Sequence, residues 1–396
     1  MSTDKEAFIV GAARTAIGGF GGTLKAEAPA TLGAFATSEA VKRSGVDPET
    51  VQSNVVGHVI RTESRDAYIS RRCALDGGLP ISAQSLTLNR LCGSGLEAVV
   101  MATRQLWLGE ANVAVAGGTE SMSRAGHLAT SSRWGQPMGD VMMQDELTTT
   151  LSDPFKGNHM GITAENLAEK YNITREAQDA LSAESQRRAA HAIEQGYFKE
   201  QIAPYTIKNR KGDIVFDTDE HVRAQTTAET LAGLRPVFKK DGGTVTAGNA
   251  SGINDGAAML VFANADQVKN QKLAPLARVV AYGHCGVEPD FMGIGPVGAT
   301  ENALAKAGLK LSDMDVIESN EAFAAQALSV AGELGLPEDK TNPNGGAIAL
   351  GHPIGASGAI ILIKAIYEMH RIGGRYALAT MCIGGGQGIA VIVEQA

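Results

Sequence analysis

The chain repeats itself, and the repeat limits the folds open to it. Gly45 and Gly308, Ser94-Gly95 and Ser357-Gly358, and Ala116 and Ala379 each stand 263 residues apart. The first pair follows a helix pattern, the second opens one, and the third sits in an apolar strand, so three stations of one unit recur in a single register. Within the first copy, residues 7–12 read as a strand and 31–44 as an amphipathic helix stopped by Gly45. Residues 51–60 read as a second strand, and 113–116 as a third that ends in Gly117-Gly118-Thr119-Glu120. Strand and helix in alternation predict a layered α/β fold. Two copies of such a unit are expected to pack about a pseudo-twofold axis. Between the copies, residues 121–249 turn to polar loops and long helices, such as the one expected over 175–195, and this stretch reads as an inserted domain.

Composition narrows the function classes. At 396 residues the chain exceeds one ordinary core, and ~150 residues per domain suggests two or three. A net charge of −8 argues against bulk attraction to nucleic acid or an anionic membrane, so an anionic ligand would need a local basic patch. Lys208-Asn209-Arg210-Lys211, Arg223 and Lys239-Lys240 are the candidates for docking a phosphate-bearing ligand. Cys73, Cys92, Cys285 and Cys382 form no C-x-x-C pair and have no histidine at metal-finger spacing, which argues against zinc and against a disulfide framework. Met1-Ser2-Thr3-Asp4-Lys5-Glu6 carries acids where a transit peptide avoids them, and no apolar run reaches membrane-spanning length. The end Val393-Glu394-Gln395-Ala396 is not a peroxisomal tripeptide, so a reducing cytoplasm is expected.

The chemistry concentrates in the repeat. In Asn89-Arg90-Leu91-Cys92-Gly93-Ser94-Gly95-Leu96-Glu97 a cysteine stands at the mouth of a helix that runs to Gly109. Unpaired N–H groups and the positive end of the helix dipole there are expected to favour a thiolate. In the second copy, Asn344 to Gly358 is a glycine-rich loop carrying His352 that feeds a helix over 359–369. The two loops correspond through the repeat, so facing halves would bring Cys92 and His352 into one cleft, the pairing that an activated thiol needs. The remaining histidines lie in unremarkable settings. A strand over 376–382 ends in Cys382-Ile383-Gly384-Gly385-Gly386-Gln387-Gly388 and resumes to Val393. A phosphate cradle would need a helix there, so a backbone N–H pocket beside a second thiol is the better reading. The glycines at 18, 19, 21 and 22 lack the spacing and acidic partner of a dinucleotide loop. After a strand over 316–318, Asn320-Glu321-Ala322-Phe323-Ala324 offers an amide able to hold a water or polarise a carbonyl.

Four of these stretches, with Arg14-Thr15-Ala16-Ile17-Gly18 ahead of them, stand in the order found in thiolases, and the chain resembles a bacterial-type β-ketothiolase over essentially its whole length. The resemblance implies the thiolase fold: two duplicated mixed-sheet α/β halves in αβαβα layers with an inserted loop domain. The halves would be 1–120 with 250–273, and 274–396; the insertion, 121–249, would serve CoA binding and oligomerisation. It implies that Cys92 attacks an acyl-CoA thioester and that Cys382 takes the α-proton of acetyl-CoA, in a reversible Claisen condensation giving 3-ketoacyl-CoA and CoA. By the same resemblance the N–H groups of Cys92 and Gly384 hold one oxyanion, while His352 and a water on Asn320 hold the enolate. Contacts to CoA and the acyl group would come from Arg223, Thr230, Ala247, Ser251, Met160, His159, Phe238 and Phe323. Thr230 replaces a serine seen in some relatives, and Ser319 stands where an apolar residue is expected. No metal or redox cofactor is implied, coenzyme A being part of the substrate. A homotetramer built as a dimer of dimers is implied, with the loop over 123–143 as a candidate joint. Two rivals remain at this level: a β-ketoacyl synthase-like condensing enzyme, which would carry a histidine at 320 and lack Cys382, and a non-catalytic acyl-CoA or lipid carrier of the same fold.

Overall fold

The computed structural model describes residues 6–396, so the acidic residues 1–5 lie outside the described part. Nine strands carry the architecture: β1 (Phe8–Arg14), β2 (Ser53–Gly57), β3 (Gln84–Leu88), β4 (Val113–Ser121), β5 (Asn254–Ala263), β6 (Ala277–Gly286), β7 (Val316–Ser319), β8 (Tyr376–Ile383) and β9 (Gln387–Gln395). They form one sheet in the order β7-β8-β9-β6-β1-β5-β4-β2-β3, with a tenth, two-residue strand Gly18–Gly19 paired to β5. Reading outward from the β1–β6 seam, β1-β5-β4-β2 on one side mirrors β6-β9-β8-β7 on the other. In each half the outermost of those pairs, β2–β4 or β7–β8, is parallel and the others are antiparallel. The seam is narrow: only Phe8 with Arg278 and Ile9 with Ala277 pair across it, so the duplicated halves are joined into one sheet.

The main helices are α1 (Pro29–Ser44), α2 (Ser94–Leu108), α3 (Met160–Lys170), α4 (Arg175–Gln195), α5 (Gly295–Ala307), α6 (Ala324–Leu334) and α7 (Ile354–Ile372). The 263-residue register holds for whole elements, since β2 and β7 begin at Ser53 and Val316, and β4 and β8 at Val113 and Tyr376. Helices α1 and α5 pack on the outer faces, on β1, β5 and β4 and on β6, β9 and β8. Helices α2 and α7 pack on each other and on strands of both halves, giving the αβαβα order. Helix α7 is buried on nearly every side, as a helix apolar all round must be. Its crossing with α2 is closed by a repeat-related pair. A Cβ on Gly358 would stand 2.3 Å from the Leu96 nitrogen, and one on Gly95 would stand 2.9 Å from the Ala359 nitrogen. Two backbones in contact at that point bring the two halves' helix-opening loops side by side.

Several expected boundaries shift. The strand expected over 51–60 is confined to Ser53–Gly57, and the helix expected over 359–369 begins at Ile354 and runs to Ile372. The strand expected to stop at Ala116 runs on to Ser121 through Gly117 and Gly118. Those glycines are not turn residues: a Cβ on Gly118 would stand 1.9 Å from the Gly355 carbonyl oxygen of α7, and one on Gly117 would stand 2.0 Å from the Ala258 carbonyl oxygen of β5, so the strand interior needs both for close approach. Arg14, at the end of β1, is fully buried and bonds both carboxylate oxygens of Asp219, at 2.8 and 3.0 Å. That pair ties the 121–249 segment to the first half, so the Arg14 motif is a structural anchor.

Candidate active site

The loop from β3 to α2 is held by two side chains. The Ser94 hydroxyl accepts from the Arg90 N–H at 2.8 Å and donates to the Leu91 carbonyl at 2.7 Å, while Asn89 Oδ1 accepts from the Leu91 N–H at 2.9 Å. These bonds keep Leu91 at φ 47°, a left-handed conformation that a leucine adopts only under constraint. Cys92 is thereby set one residue before Gly93, the helix N-cap.

The second copy repeats the device. The Ser357 hydroxyl donates to the Pro353 carbonyl at 2.9 Å and lies 2.6 Å from His352 Nδ1. The His352 N–H donates to Asn254 Oδ1 at 2.8 Å. The His352 Nε2 is buried without a hydrogen-bond partner. Cys382, at the end of β8, packs with Met160, Met292, Ala322, Ala325 and Phe323, and the turn after Ile383 brings Gly384 to the same place.

Cys92, His352, Cys382 and Gly384 line one cavity of about 640 Å³. His159, Met160, Arg223, Phe238, Ala247, Ser251 and Phe323 also line it. The His159 ring stacks on Phe238 with centroids 4.5 Å apart, and its Nδ1 accepts from the Gly161 N–H at 3.0 Å, leaving Nε2 as the donor. Arg223 stands exposed at the mouth, and among the described residues its guanidinium enters no ion pair. Two expected residues are not on the wall. Thr230 is exposed, and its hydroxyl donates to the Thr227 carbonyl at 2.8 Å within the cap of the short helix Ala228–Ala232. Asn320, two residues before the lining residue Ala322, is buried with both side-chain polar atoms unpartnered. The neighbouring Ser319 hydroxyl is also unpartnered, while its N–H donates to Asn342 Oδ1 at 2.9 Å. Lys208, Arg210, Lys211, Lys239 and Lys240 do not line the cavity, and Lys208 is paired with Asp213 at 2.6 Å. Of the basic candidates only Arg223 lies at the cavity.

Electrostatics correct one expectation. Burial pushes the Cys92 thiol up to about 11, although the N–H groups of Gly384 and Cys92 itself pull in the opposite direction and Glu120 adds to the rise. Burial, with the charge of Cys92, pushes the Cys382 thiol well above its ordinary range. Burial depresses His352 to about 4. The helix mouth therefore does not make a resting thiolate here, because desolvation outweighs the dipole. The resting trio is two thiols and a neutral imidazole whose Nε2 is unpartnered.

Sequence reasoning missed other parts of the wall. Met122, Leu151, Ile253 and Ile354 line the cavity; Met122 and Ile354 belong to one buried apolar cluster, and Leu151, Ile253 and Cys92 pack against it. His221 also lines it, its basicity lowered by burial and by Arg223. Its position two residues before Arg223 was the available signal. His58, passed over as unremarkable, is buried between Glu120 and Asp66. Among the described residues, no three His, Cys, Asp or Glu side chains cluster to hold a metal ion, and no helix is long and apolar enough to cross a membrane.

Residues 7–266 match the family model for the thiolase N-terminal domain and 273–395 that for the thiolase C-terminal domain. The chain is 56% identical to beta-ketothiolase BktB of Cupriavidus necator over 391 residues, covering 99% of each chain. It is 49% identical to acetyl-CoA acetyltransferase of Syntrophomonas wolfei, covering 98% of this chain and 99% of that one. Among solved structures it resembles the Bacillus anthracis acetyl-CoA acetyltransferase at TM-score 0.97 and 46% identity, covering 99% of both chains. It also resembles the human mitochondrial 3-ketoacyl-CoA thiolase in complex with CoA, at TM-score 0.95 and 47% identity, covering 99% of this chain and 98% of that one.

Proposed function

The chain belongs to the thiolase family, and from that premise we propose that it is an acetyl-CoA C-acyltransferase working through Cys92, His352 and Cys382. The observation that carries this reading is the convergence of two thiols and one unpartnered imidazole nitrogen on a single cavity. In the first half-reaction the Cys92 proton passes to His352 Nε2 as sulfur attacks the acyl-CoA carbonyl. The Cys92 and Gly384 N–H groups donate to the oxyanion; CoA leaves with the proton from His352, and the acyl group stays on Cys92. In the second, the Cys382 thiol first gives its proton to His352 Nε2 and then, as a thiolate, takes the α-proton of acetyl-CoA; the carbanion attacks the acyl-enzyme to give 3-ketoacyl-CoA, and Cys92 leaves with the proton from His352. A high thiol pKa suits Cys382 to this step, because its thiolate is then a strong base.

The Ser357 hydroxyl lets one ring serve both halves. Turned to the Pro353 carbonyl, it accepts from Nδ1–H and leaves Nε2 a lone pair for the Cys92 proton. Once Nε2 is protonated the hydroxyl still accepts from Nδ1–H, and Nε2–H then donates to the enolate oxygen. Asn320, unpartnered and buried, is suited to hold a water toward that oxygen, and loss of one such donor typically costs about 3 kcal/mol. We assign His159, Met160, Phe238, Phe323, Ala247 and Ser251 to the pantetheine and acyl region, and Arg223 to the nucleotide phosphates. Thr230 is left to capping.

We assign 121–249 to CoA binding and assembly, between an N-terminal half of 1–120 with 250–273 and a C-terminal half of 274–396. A homotetramer is supported by the open edge strand β3 beside exposed Ile81 and Leu86, and by exposed Trp134, Met138 and Met142 in the 123–143 loop. A nucleophile and a base that are both thiols fit a reducing, cytoplasmic setting. The synthase and carrier readings are not supported: position 320 is asparagine and both thiols are present. The direct test is thiolysis. Acetoacetyl-CoA with CoA should give acetyl-CoA, and Cys92→Ser should abolish it; a wild-type protein that leaves acetoacetyl-CoA intact refutes the assignment.

A further inference from the structure

The steps above leave one buried carboxylate unused. Glu120, near the end of β4, accepts from the Val59 N–H at 3.1 Å, the Ile60 N–H at 3.1 Å and the Gly355 N–H at 3.0 Å. Val59 and Ile60 belong to the loop after β2, whereas Gly355 lies in the first turn of α7, three residues past His352. A Cβ on Gly355 would stand 2.6 Å from Glu120 Oε2, so the approach depends on the glycine. Ile60 and Ile354, the neighbours of these anchoring points, pack with Met122 against Cys92. A single side chain thus bonds the loop behind the nucleophile in one half and the helix behind the base in the other.

His58 completes the arrangement. Its Nδ1 lies 3.0 Å from the Thr119 carbonyl oxygen and 3.4 Å from Glu120 Oε1. On its far side Asp66 Oδ2, in the turn Ser64–Tyr68, lies 3.9 Å from Nε2. Three N–H donors, one at a helix N-terminus, favour the anionic carboxylate, while burial opposes it and raises the Glu120 pKa. We propose that Glu120 is a positioning residue: by bonding both the Cys92 wall and the His352 helix it fixes the nucleophile and the base in one geometry, with His58 as its counter-group. The proposal rests on the reading of Cys92 as nucleophile and His352 as base. Its charge has a second consequence. It adds to the rise of the Cys92 thiol, which burial dominates.

The test separates charge from reach. Glu120→Gln keeps the size and removes the charge; Glu120→Asp keeps the charge and draws it back from the N–H groups. Alkylation of Cys92 by iodoacetamide is followed by peptide mass across pH, without thioester, and thiolysis kinetics are measured on the same preparations. In Glu120→Gln, Cys92 should be alkylated ~2-fold faster at pH 8, since losing the anion favours the thiolate. Its thiolysis kcat should nonetheless fall by about tenfold or more, with KM for CoA little changed. In Glu120→Asp the alkylation profile should follow wild type while kcat falls. Folded variants that keep the wild-type kcat overturn the proposal. So does a Glu120→Gln alkylation profile equal to or slower than wild type, as does kcat lost only in proportion to folded protein by circular dichroism. Alkylation needs no thioester, so failure of the thiolase reading itself would appear separately, as a wild-type protein without thiolysis.

Discussion

Ser357→Ala tests the tautomer control of His352. The substitution removes the 2.6 Å contact to Nδ1 and the hydroxyl that bonds the Pro353 carbonyl, while a methyl group fills most of the space. His352 is 5% exposed, so water cannot replace the lost partner freely. A buried polar group left unpartnered costs about 1–3 kcal/mol, which at ~1.36 kcal/mol per decade corresponds to a roughly 5- to 160-fold loss if it falls on the transition state. Rapid-quench acetylation of Cys92 by acetyl-CoA, read by intact mass, isolates the first half-reaction, and thiolysis kcat reports the whole cycle. Both should fall within that range, and His352→Ala should fall further because the base itself is gone. Acetylation and thiolysis within twofold of wild type in a folded Ser357→Ala protein would refute the assignment of this hydroxyl.

Other perturbations follow from the same geometry. His352 is depressed from 6.5 to about 4, so between those values the unfolded chain binds a proton that the native chain does not, and stability falls as pH drops. At pH 5 the loss relative to pH 7 is about 2 kcal/mol. Wild type should therefore lose more stability over that interval than His352→Gln in denaturant titrations; equal losses would contradict the depressed value. Buried Glu120 and Glu318, both raised, act with the opposite sign and are common to the two proteins. Gly358→Ala drives a methyl into the Leu96 backbone and should destabilise by about 2–3 kcal/mol or prevent folding, whereas Gly21→Ala, with open space at φ 66°, should cost only about 1 kcal/mol by thermal unfolding. Arg223→Ala should raise KM for CoA several-fold while Thr230→Ala leaves it unchanged; the reverse order would return Thr230 to the substrate surface.

The duplication was legible because it is a matter of register: β2 and β4 recur in β7 and β8 at one offset, which the last residues of α1 and α5 and the Ser94-Gly95 and Ser357-Gly358 pairs of α2 and α7 also keep. That Cys92 and His352 line one cavity followed from it once their loops were seen as counterparts, whereas the other lining residues named in advance rested on the resemblance. What the one-dimensional pattern hid was contact between distant segments. Gly117 and Gly118 look like a turn until β5 is set beside the first and α7 is laid across the second. The Cys92 helix mouth looks like a thiolate site until its desolvation is known, and dipole effects of up to ~2 kcal/mol are smaller than the cost of burying a charge. The Glu120 cluster gathers residues 58, 66, 120 and 355, which no spacing connects. Thr230 was placed by analogy with relatives, and its own cap bond accounts for it.

The central claim is that two sulfurs share one substrate in sequence, Cys92 holding the acyl group and Cys382 moving the α-proton. Acetyl-CoA given to Cys382→Ser, followed by peptide mapping and by chromatography of the thioesters, tests both halves at once. The account predicts one acetyl group on Cys92 and no acetoacetyl-CoA. An unlabelled Cys92, or acetoacetyl-CoA formed at the wild-type rate, would contradict it.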